Sequence, residues 1–96
     1  MIKNPKVSII VICFNAADHI EECIDSLLKS TYPNFEIIVV DNGSIDNTFD
    51  FLQKKYKKIK KVKIIRTPVN RFYAGGCNFG ARGATGEKLV SFAIIL

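Results

Sequence analysis

The 96-residue sequence lacks several features that would assign it to a specialised class of protein. No apolar stretch approaches the roughly 18 residues that a membrane-spanning helix needs. The three cysteines are widely spaced and form no C-x-x-C pair, and there is a single histidine. These absences argue against a membrane span, a disulfide framework and a zinc site, and they favour a reducing, cytoplasmic setting.

Two phosphate-binding motifs are also missing. No G-x-x-x-x-G-K-[ST] occurs, and the segment GGCNFGARG neither matches G-x-G-x-x-G nor follows the first predicted strand. His19 belongs to no metal-binding or catalytic-triad motif in the sequence, so we expect it at the surface. The sequence therefore predicts no P-loop, no dinucleotide fingerprint and no catalytic triad.

Charge is unevenly distributed along the chain. The net charge is +5, yet residues 54–66, KKYKKIKKVKIIR, carry eight positive charges and no acid. This basic block suits either a solvated helix end, where lysines face the negative pole of the helix dipole, or weak contact with an anionic membrane surface. We favour the helix end. Nucleic acid is not an expected partner, because no aromatic stacking platform accompanies the lysines.

What the sequence does contain is an alternation of two periodicities. Short β-branched runs, typical of strands buried on both faces, predict four strands at residues 7–14, about 35–40, 62–66 and in KLVSFAIIL. Apolar spacings of three and four predict one helix from Asp18 to the Tyr32 and Pro33 stop signal. They predict a second helix after Ser44, with the stripe Ile45, Phe49, Leu52, Tyr56 and Ile59. The glycine-rich YAGGCNFGARGATG is predicted as a third helix, although glycine disfavours helices.

This order predicts one α/β domain over residues 1–96, a Rossmann-like parallel sheet with alternating helices. Ligands of such sheets bind at the carboxyl ends of the strands. Phe14 and Asn15 reach that edge from strand one, and Asp41 is expected there as the first residue after strand two, with Ser44 capping the next helix. Alternatively, Asp41 and Ser44 only satisfy backbone groups at a loop and helix start. The residues alone do not decide between these interpretations.

Three segments, VSIIVICFN, DNGSIDNT and NRFYAGGCNFGARGATGE, together resemble the nucleotide-binding half of family 2 glycosyltransferases. They occur in the family's order and spacing, and the AGGCN version is most similar to the rhamnosyltransferase-like branch. The resemblance implies a partial GT-A domain and inverting transfer of a sugar from a nucleotide diphosphate sugar to an acceptor. It also implies a cytoplasmic location, at the inner face of the membrane where acceptors are lipid-linked.

The resemblance further implies a set of nucleotide-binding residues. Asp41 would accept a hydrogen bond from the base, and an acceptor-only carboxylate suits the imide N–H of uracil or thymine, hence a UDP or dTDP donor. Arg71 would approach the base or the diphosphate, and Gly75 and Asn78 would lie where the third helix packs beneath the donor site. The implied set is Cys13, Phe14, Asn15, Asp41, Asn42, Arg71, Gly75 and Asn78.

The sequence departs from the family pattern where a metal is expected. The family places an acid motif, commonly D-x-D, at the end of strand four, and this sequence reads SFAIIL there. Mg²⁺ or Mn²⁺ is expected for the intact family and no metal for this chain. Cys13, Phe72 and Cys77 replace a hydroxyl, a glycine and an asparagine of the pattern.

We therefore expect no catalytic residue in this chain, which looks truncated and inactive alone. A noncatalytic nucleotide- or partner-binding module is the alternative, and an unrelated α/β regulator with an acidic loop is a third. Because strand four ends the chain, its open edge also predicts self-association.

Overall fold

The computed structural model describes residues 4–67 and 72–95. Strands and helices alternate along these ranges, as the two periodicities predict. Their bounds are β1 Val7–Phe14, α1 Ile20–Leu28, β2 Phe35–Asn42, α2 Thr48–Tyr56, β3 Val62–Thr67, α3 Phe72–Arg82 and β4 Lys88–Ile95. None of the helices within these ranges is long and apolar enough to cross a membrane.

The strands form one parallel sheet in the order β3-β2-β1-β4. The chain steps outward from β1 to β2 and β3, and then returns across the sheet to place β4 on the other side of β1. The direction of winding therefore reverses between β1 and β4, and ligands of open α/β sheets bind near such a reversal. The predicted α/β, Rossmann-like parallel sheet is confirmed.

The sheet is covered on both faces, which explains why its inner strands read as unbroken apolar runs. Helices α1 and α2 pack against one face through a core that contains Val11, Ile24, Ile37, Val39 and Leu52. Phe79 of α3 packs against the opposite face, on a core of Ile10, Ile12, Ile38 and Val40. Because side chains alternate along a strand, Asp41 belongs to the α1 and α2 face and Asn42 to the α3 face.

Helix α3 approaches the sheet most closely at Gly80. A Cβ atom at this position would lie 2.7 Å from Cγ2 of Ile10 and 3.0 Å from Cγ2 of Val40. The absence of a side chain therefore lets the helix lie on β1 and β2. The predicted third helix is confirmed despite the low helix propensity of its glycines, and its residues Phe79 and Ala81 pack against the sheet.

Several predicted boundaries are wrong. α1, predicted from Asp18 to the stop signal at Tyr32 and Pro33, spans only Ile20–Leu28. β2 continues through Asp41 and Asn42, which pair in register with Arg66 and Thr67 of β3, so Asp41 is not the first residue beyond the strand. α2 begins only at Thr48, and Ile45 lies in the preceding loop with 88% of its surface exposed. Ile59 also lies beyond the last turn of α2. The helix-like apolar spacing therefore extends into the loops on both sides of this helix.

Candidate functional site

Two loops meet at the carboxyl edge of the sheet, the β1–α1 loop (residues 15–19) and the β2–α2 loop (residues 43–47). The backbone N–H of Asn15 donates to Oγ of Ser44 at 2.9 Å, and Oδ1 of Asn15 accepts from the backbone N–H of Ile45 at 2.9 Å. Asn15 has φ of 50°, in the left-handed region that asparagine tolerates better than most residues. These reciprocal hydrogen bonds hold the two loops as one unit.

The next two backbone N–H groups of the β1–α1 loop are also satisfied by side chains of the neighbouring segment. The N–H of Ala16 donates to Oγ1 of Thr48 at 3.1 Å, and the N–H of Ala17 donates to the Asp46 carboxylate. Burial raises the pKa of Asp46, but hydrogen bonds from Thr48 and Ala17 more than offset it, so the pKa lies below its ordinary value.

This arrangement has a consequence for phosphate binding. In Rossmann dinucleotide-binding proteins, the free N–H groups after the first strand receive the pyrophosphate. Here the N–H groups of residues 15–17 are already bound to Ser44, Thr48 and Asp46. The first turn after β1 is therefore closed to a phosphate, in agreement with the missing glycine-rich motif.

The predicted helix-capping role of Ser44 is wrong. The residue that precedes α2 is Asn47, whose side chain makes no capping hydrogen bond, and Oδ1 of Asp46 accepts from the N–H of Thr48 at 3.0 Å instead. The hydroxyl of Ser44 is used to fix Asn15. This role depends on the contact between the two loops, which residue spacing does not reveal.

Asp41 lies beneath these loops and is fully buried. Its Oδ1 accepts from the backbone N–H of Ser44 at 3.0 Å, whereas its Oδ2 has no hydrogen-bond partner among the described residues. The interpretation of Asp41 as a turn residue thus accounts for one oxygen and leaves the other unexplained. Leaving a buried acceptor unpaired costs about 1 to 3 kcal/mol, and more for a charged group.

Cys13 is the neighbour of Asp41 in the register of β1 and β2 and is fully buried. Burial, together with the carboxylates of Asp41 and Asp46, raises the pKa of the Cys13 thiol to about 12. The thiol is therefore protonated at neutral pH and packs as a small apolar side chain. The predicted contact of Cys13 with a base stays a prediction.

The remaining predicted residues are more scattered. Phe14 is half-buried at the end of β1, and Oδ1 of the buried Asn42 accepts from the Thr67 hydroxyl at 3.1 Å. Gly75 is half-buried and Asn78 is exposed, and both belong to α3 on the face of the sheet opposite Asp41. Arg71 lies outside the described residues.

Sequence reasoning missed Arg66, which it treated only as part of the basic block. Nη2 of Arg66 donates to the backbone oxygen of Ser44 at 3.3 Å, and its guanidinium carbon lies 5.0 Å from the centre of the Phe49 ring. The only available signal was the register that sets Arg66 beside Asp41, and register follows from the folded sheet rather than from spacing.

The described residues do not fit a divalent metal. Mg²⁺ and Mn²⁺ favour about six oxygen ligands. Asp41 offers one unpaired oxygen, and Asp46 already accepts hydrogen bonds from Thr48. Within residues 4–67 and 72–95, as far as their side chains are described, no three histidine, cysteine or acidic side chains lie close enough to share a metal.

Comparison with known proteins identifies the family. The family model for glycosyl transferase family 2 matches residues 8–95, and the chain belongs to this family. An uncharacterised glycosyltransferase of Haemophilus influenzae is 41% identical over 76 residues, which are 79% of this chain and 24% of that protein. The poly(ribitol-phosphate) beta-glucosyltransferase of Bacillus spizizenii is 42% identical over 67 residues, 68% of this chain and 11% of that protein.

Solved structures show the same fold. The mannosyltransferase PcManGT of Pyrobaculum calidifontis, in complex with GDP-Man and Mn²⁺, matches with a TM-score of 0.86 and 30% identity over 94% of this chain. S. aureus TarS 1–349, in complex with UDP-GlcNAc, matches with a TM-score of 0.80 and 31% identity over 92% of this chain. The chain spans 27% and 26% of the lengths of these two proteins. The expected GT-A fold is thus confirmed.

Proposed function

We propose that this chain binds the nucleotide of a nucleotide diphosphate sugar and that Asp41 recognises the base. The unpaired, buried Oδ2 of Asp41 carries the proposal. It lies at the carboxyl edge of the sheet, in the strand next to β1, where ligands of this fold class bind. The complexes of S. aureus TarS with UDP-GlcNAc and of PcManGT with GDP-Man support a donor of this class.

The number of free acceptor atoms favours uracil or thymine. Their imide N3–H is a single donor, whereas the corresponding N3 of cytosine is an acceptor, which a carboxylate repels. Guanine presents two neighbouring donors and pairs best with both oxygens of a carboxylate. Because the Ser44 N–H already occupies Oδ1, Asp41 matches a single donor, and we propose a UDP- or dTDP-linked sugar.

Base binding at Asp41 requires the edge of the sheet to open locally, because the whole residue is closed to solvent. Loop rearrangements of this kind occur in a substantial minority of complexes. A hydrogen bond to a charged group contributes about 1.5 to 3 kcal/mol, and pairing the buried oxygen removes an existing penalty. These two terms oppose the cost of opening.

The test is to titrate the 96-residue chain with UDP while recording amide NMR spectra, which detect the expected affinity of about 1 mM, or ~4 kcal/mol. Asp41→Ala is expected to weaken UDP binding roughly tenfold to a hundredfold. Asp41→Asn keeps the size of the side chain but removes its charge, and it is expected to behave similarly. Asp50→Asn, an exposed aspartate in the first turn of α2, is the matched control. A folded Asp41→Asn variant that binds UDP as well as the unchanged chain would refute base recognition.

A second part of the proposal concerns sugar transfer, which requires more than this chain. The chain spans about a quarter of the lengths of PcManGT and TarS 1–349. We propose that inverting transfer requires these residues together with an acceptor-binding half and a metal site of the family type. If the chain is a noncatalytic binding module instead, the UDP experiment has the same outcome. The two are separated only by a transfer assay on a protein in which these residues are joined to an acceptor-binding half and a metal site.

Membrane contact through the basic block is a second candidate property. Several of its cations have partners within the chain: Lys55 with Glu21 and Asp25, Lys61 with Phe35, Lys63 with Glu36, and Arg66 with Ser44. The remaining cations are exposed around the end of α2, and they are Lys54, Lys57, Lys58 and Lys60. We propose that these four bind anionic lipid weakly and hold the protein at the cytoplasmic face of a membrane.

Each lysine near an anionic surface contributes about 1 kcal/mol before screening. Changing all four exposed lysines to glutamine is therefore expected to abolish co-sedimentation with vesicles that contain phosphatidylserine. Neutral phosphatidylcholine vesicles provide the control. Equal binding of the variant and the unchanged chain to anionic vesicles would remove the proposal.

A further inference from the structure

Arg66 contacts the β2–α2 loop and the first turn of the helix that follows it. Its register beside Asp41 places the two side chains on the same face of the sheet, toward α2. From there Nη2 reaches the backbone oxygen of Ser44, at 3.3 Å, and the guanidinium lies over the ring of Phe49, which belongs to the first turn of α2. β3 is thereby connected to a loop that it does not adjoin in sequence.

Ser44 is the residue on which the site depends, because each of its polar groups has a different partner. Its N–H donates to Oδ1 of Asp41, its hydroxyl accepts from Asn15, and its backbone oxygen accepts from Arg66. The first two contacts come from β2 and from the β1–α1 loop. Arg66 adds a contact from β3, so Ser44 is fixed from two strands of the sheet and from the neighbouring loop.

We propose that Arg66 is a positioning residue for the nucleotide site. By holding Ser44, it keeps Oδ1 of Asp41 engaged and leaves Oδ2 as the acceptor for the base. This inference rests on the proposed function, because the loop that Arg66 holds in place is the one that serves to bind the base. It predicts that loss of Arg66 loosens the loop and weakens base binding without any direct contact between Arg66 and the ligand.

A direct contact with the diphosphate is the competing explanation for an exposed arginine at this edge. The two roles differ in their dependence on the ligand. A phosphate contact would affect UDP and leave uridine binding unchanged, whereas a positioning role affects both ligands by the same factor. Lysine keeps the charge but loses the planar fork and the stacking of arginine, so Arg66→Lys is expected to resemble Arg66→Met if positioning is the role.

The experiment compares Arg66→Met, Arg66→Lys and the control Lys29→Met, which removes the same charge from an exposed position outside the site. Affinities for uridine and for UDP are measured by NMR titration, and amide hydrogen exchange is measured at Ser44, Ile45 and Val39. We expect both Arg66 variants to weaken uridine and UDP equally, by about threefold to tenfold. Exchange is expected to accelerate at Ser44 and Ile45 and to stay unchanged at Val39 in the core of β2.

A weakening seen with UDP but not with uridine would overturn the proposal in favour of a phosphate contact. Unchanged exchange at Ser44 and Ile45 would overturn it as well. If the unchanged chain binds neither ligand, the proposed function fails and with it the nucleotide part of this inference. The exchange data still decide in that case whether Arg66 holds the loop.

Discussion

Glu36 is the residue whose replacement is expected to destabilise the fold most clearly. It lies at the amino end of β2, 4% exposed, far from the candidate site. Its Oε2 accepts from the Ser8 hydroxyl at 2.6 Å and from the N–H and hydroxyl of Thr85 at 2.7 and 3.1 Å. Oε1 pairs with Lys63 at 3.1 Å and with Lys6 at 3.6 Å. One carboxylate thus connects β1, β2, β3 and the loop before β4.

The pKa of Glu36 allows the stabilisation to be estimated. Burial raises this pKa, but hydrogen bonds from Ser8 and Thr85, together with the ion pair with Lys63, outweigh burial and lower it from 4.5 to about 2. Each pKa unit corresponds to ~1.4 kcal/mol, so the charged form contributes about 3 kcal/mol to the free energy of unfolding at neutral pH. Because the folded-state pKa is the lower one, this contribution is complete above about pH 5 and is lost as the pH falls toward 2.

The assay is urea unfolding of Glu36→Gln and of the control Glu22→Gln, an exposed glutamate in the first turn of α1. At pH 7 we expect Glu36→Gln to lower the free energy of unfolding by about 3 kcal/mol. The amide NH₂ group of glutamine is a donor, and it would face Ser8, Thr85 or Lys63, which are donors themselves. The control is expected to stay within about 0.5 kcal/mol of the unchanged chain. Between pH 5 and 2 the unchanged chain should lose stability more steeply than Glu36→Gln. Similar stabilities at pH 7, or equal pH dependence, would refute the role assigned to Glu36.

Three further predictions concern packing, association and activity. Gly80→Ala is expected to cost about 1 to 3 kcal/mol in urea unfolding, because its Cβ would lie 2.7 Å from Ile10. Gly83→Ala is the control, since its Cβ would make only an ordinary van der Waals contact, 3.7 Å from the backbone oxygen of Gly80. The chain is expected to self-associate through the edge strand β4, where Leu89 and Val90 are 53% and 43% exposed. A single monomeric boundary in sedimentation velocity would contradict this prediction. We expect the 96 residues alone to transfer no sugar from a UDP-sugar in the presence of Mn²⁺, since the described side chains do not fit the metal. Turnover above a no-protein control would show this prediction to be wrong.

Most of the fold could be predicted because both faces of the sheet are buried. Strands such as residues 7–14 then carry an unbroken apolar signal, and α1 carries a clear amphipathic one. The third helix was predicted against the propensity of its glycines, and Gly80 shows why it is stable: the close approach to Ile10 and Val40 requires a residue without a side chain.

Much of the candidate site could not be predicted in detail, since its contacts join residues far apart in sequence. Asp41 was identified, but its place inside β2 depends on pairing with Arg66. Ser44 looked like a helix cap because serine favours that position, and its actual partner, Asn15, comes from another loop. The preference of serine for a capping position depends only on the local sequence. The hydrogen bond that Ser44 actually forms depends on the contact between the two loops.

The central claim, that Asp41 accepts the imide N–H of the base, is tested most directly by a cycle that changes both partners. UDP and N3-methyl-UDP are titrated into the unchanged chain and into Asp41→Ala, with affinities measured by NMR. Methylation removes the donor, so it should weaken binding to the unchanged chain roughly tenfold or more and have little further effect on Asp41→Ala. If methylation weakens binding to both proteins by the same factor, the base does not bind at Asp41 and the account is contradicted.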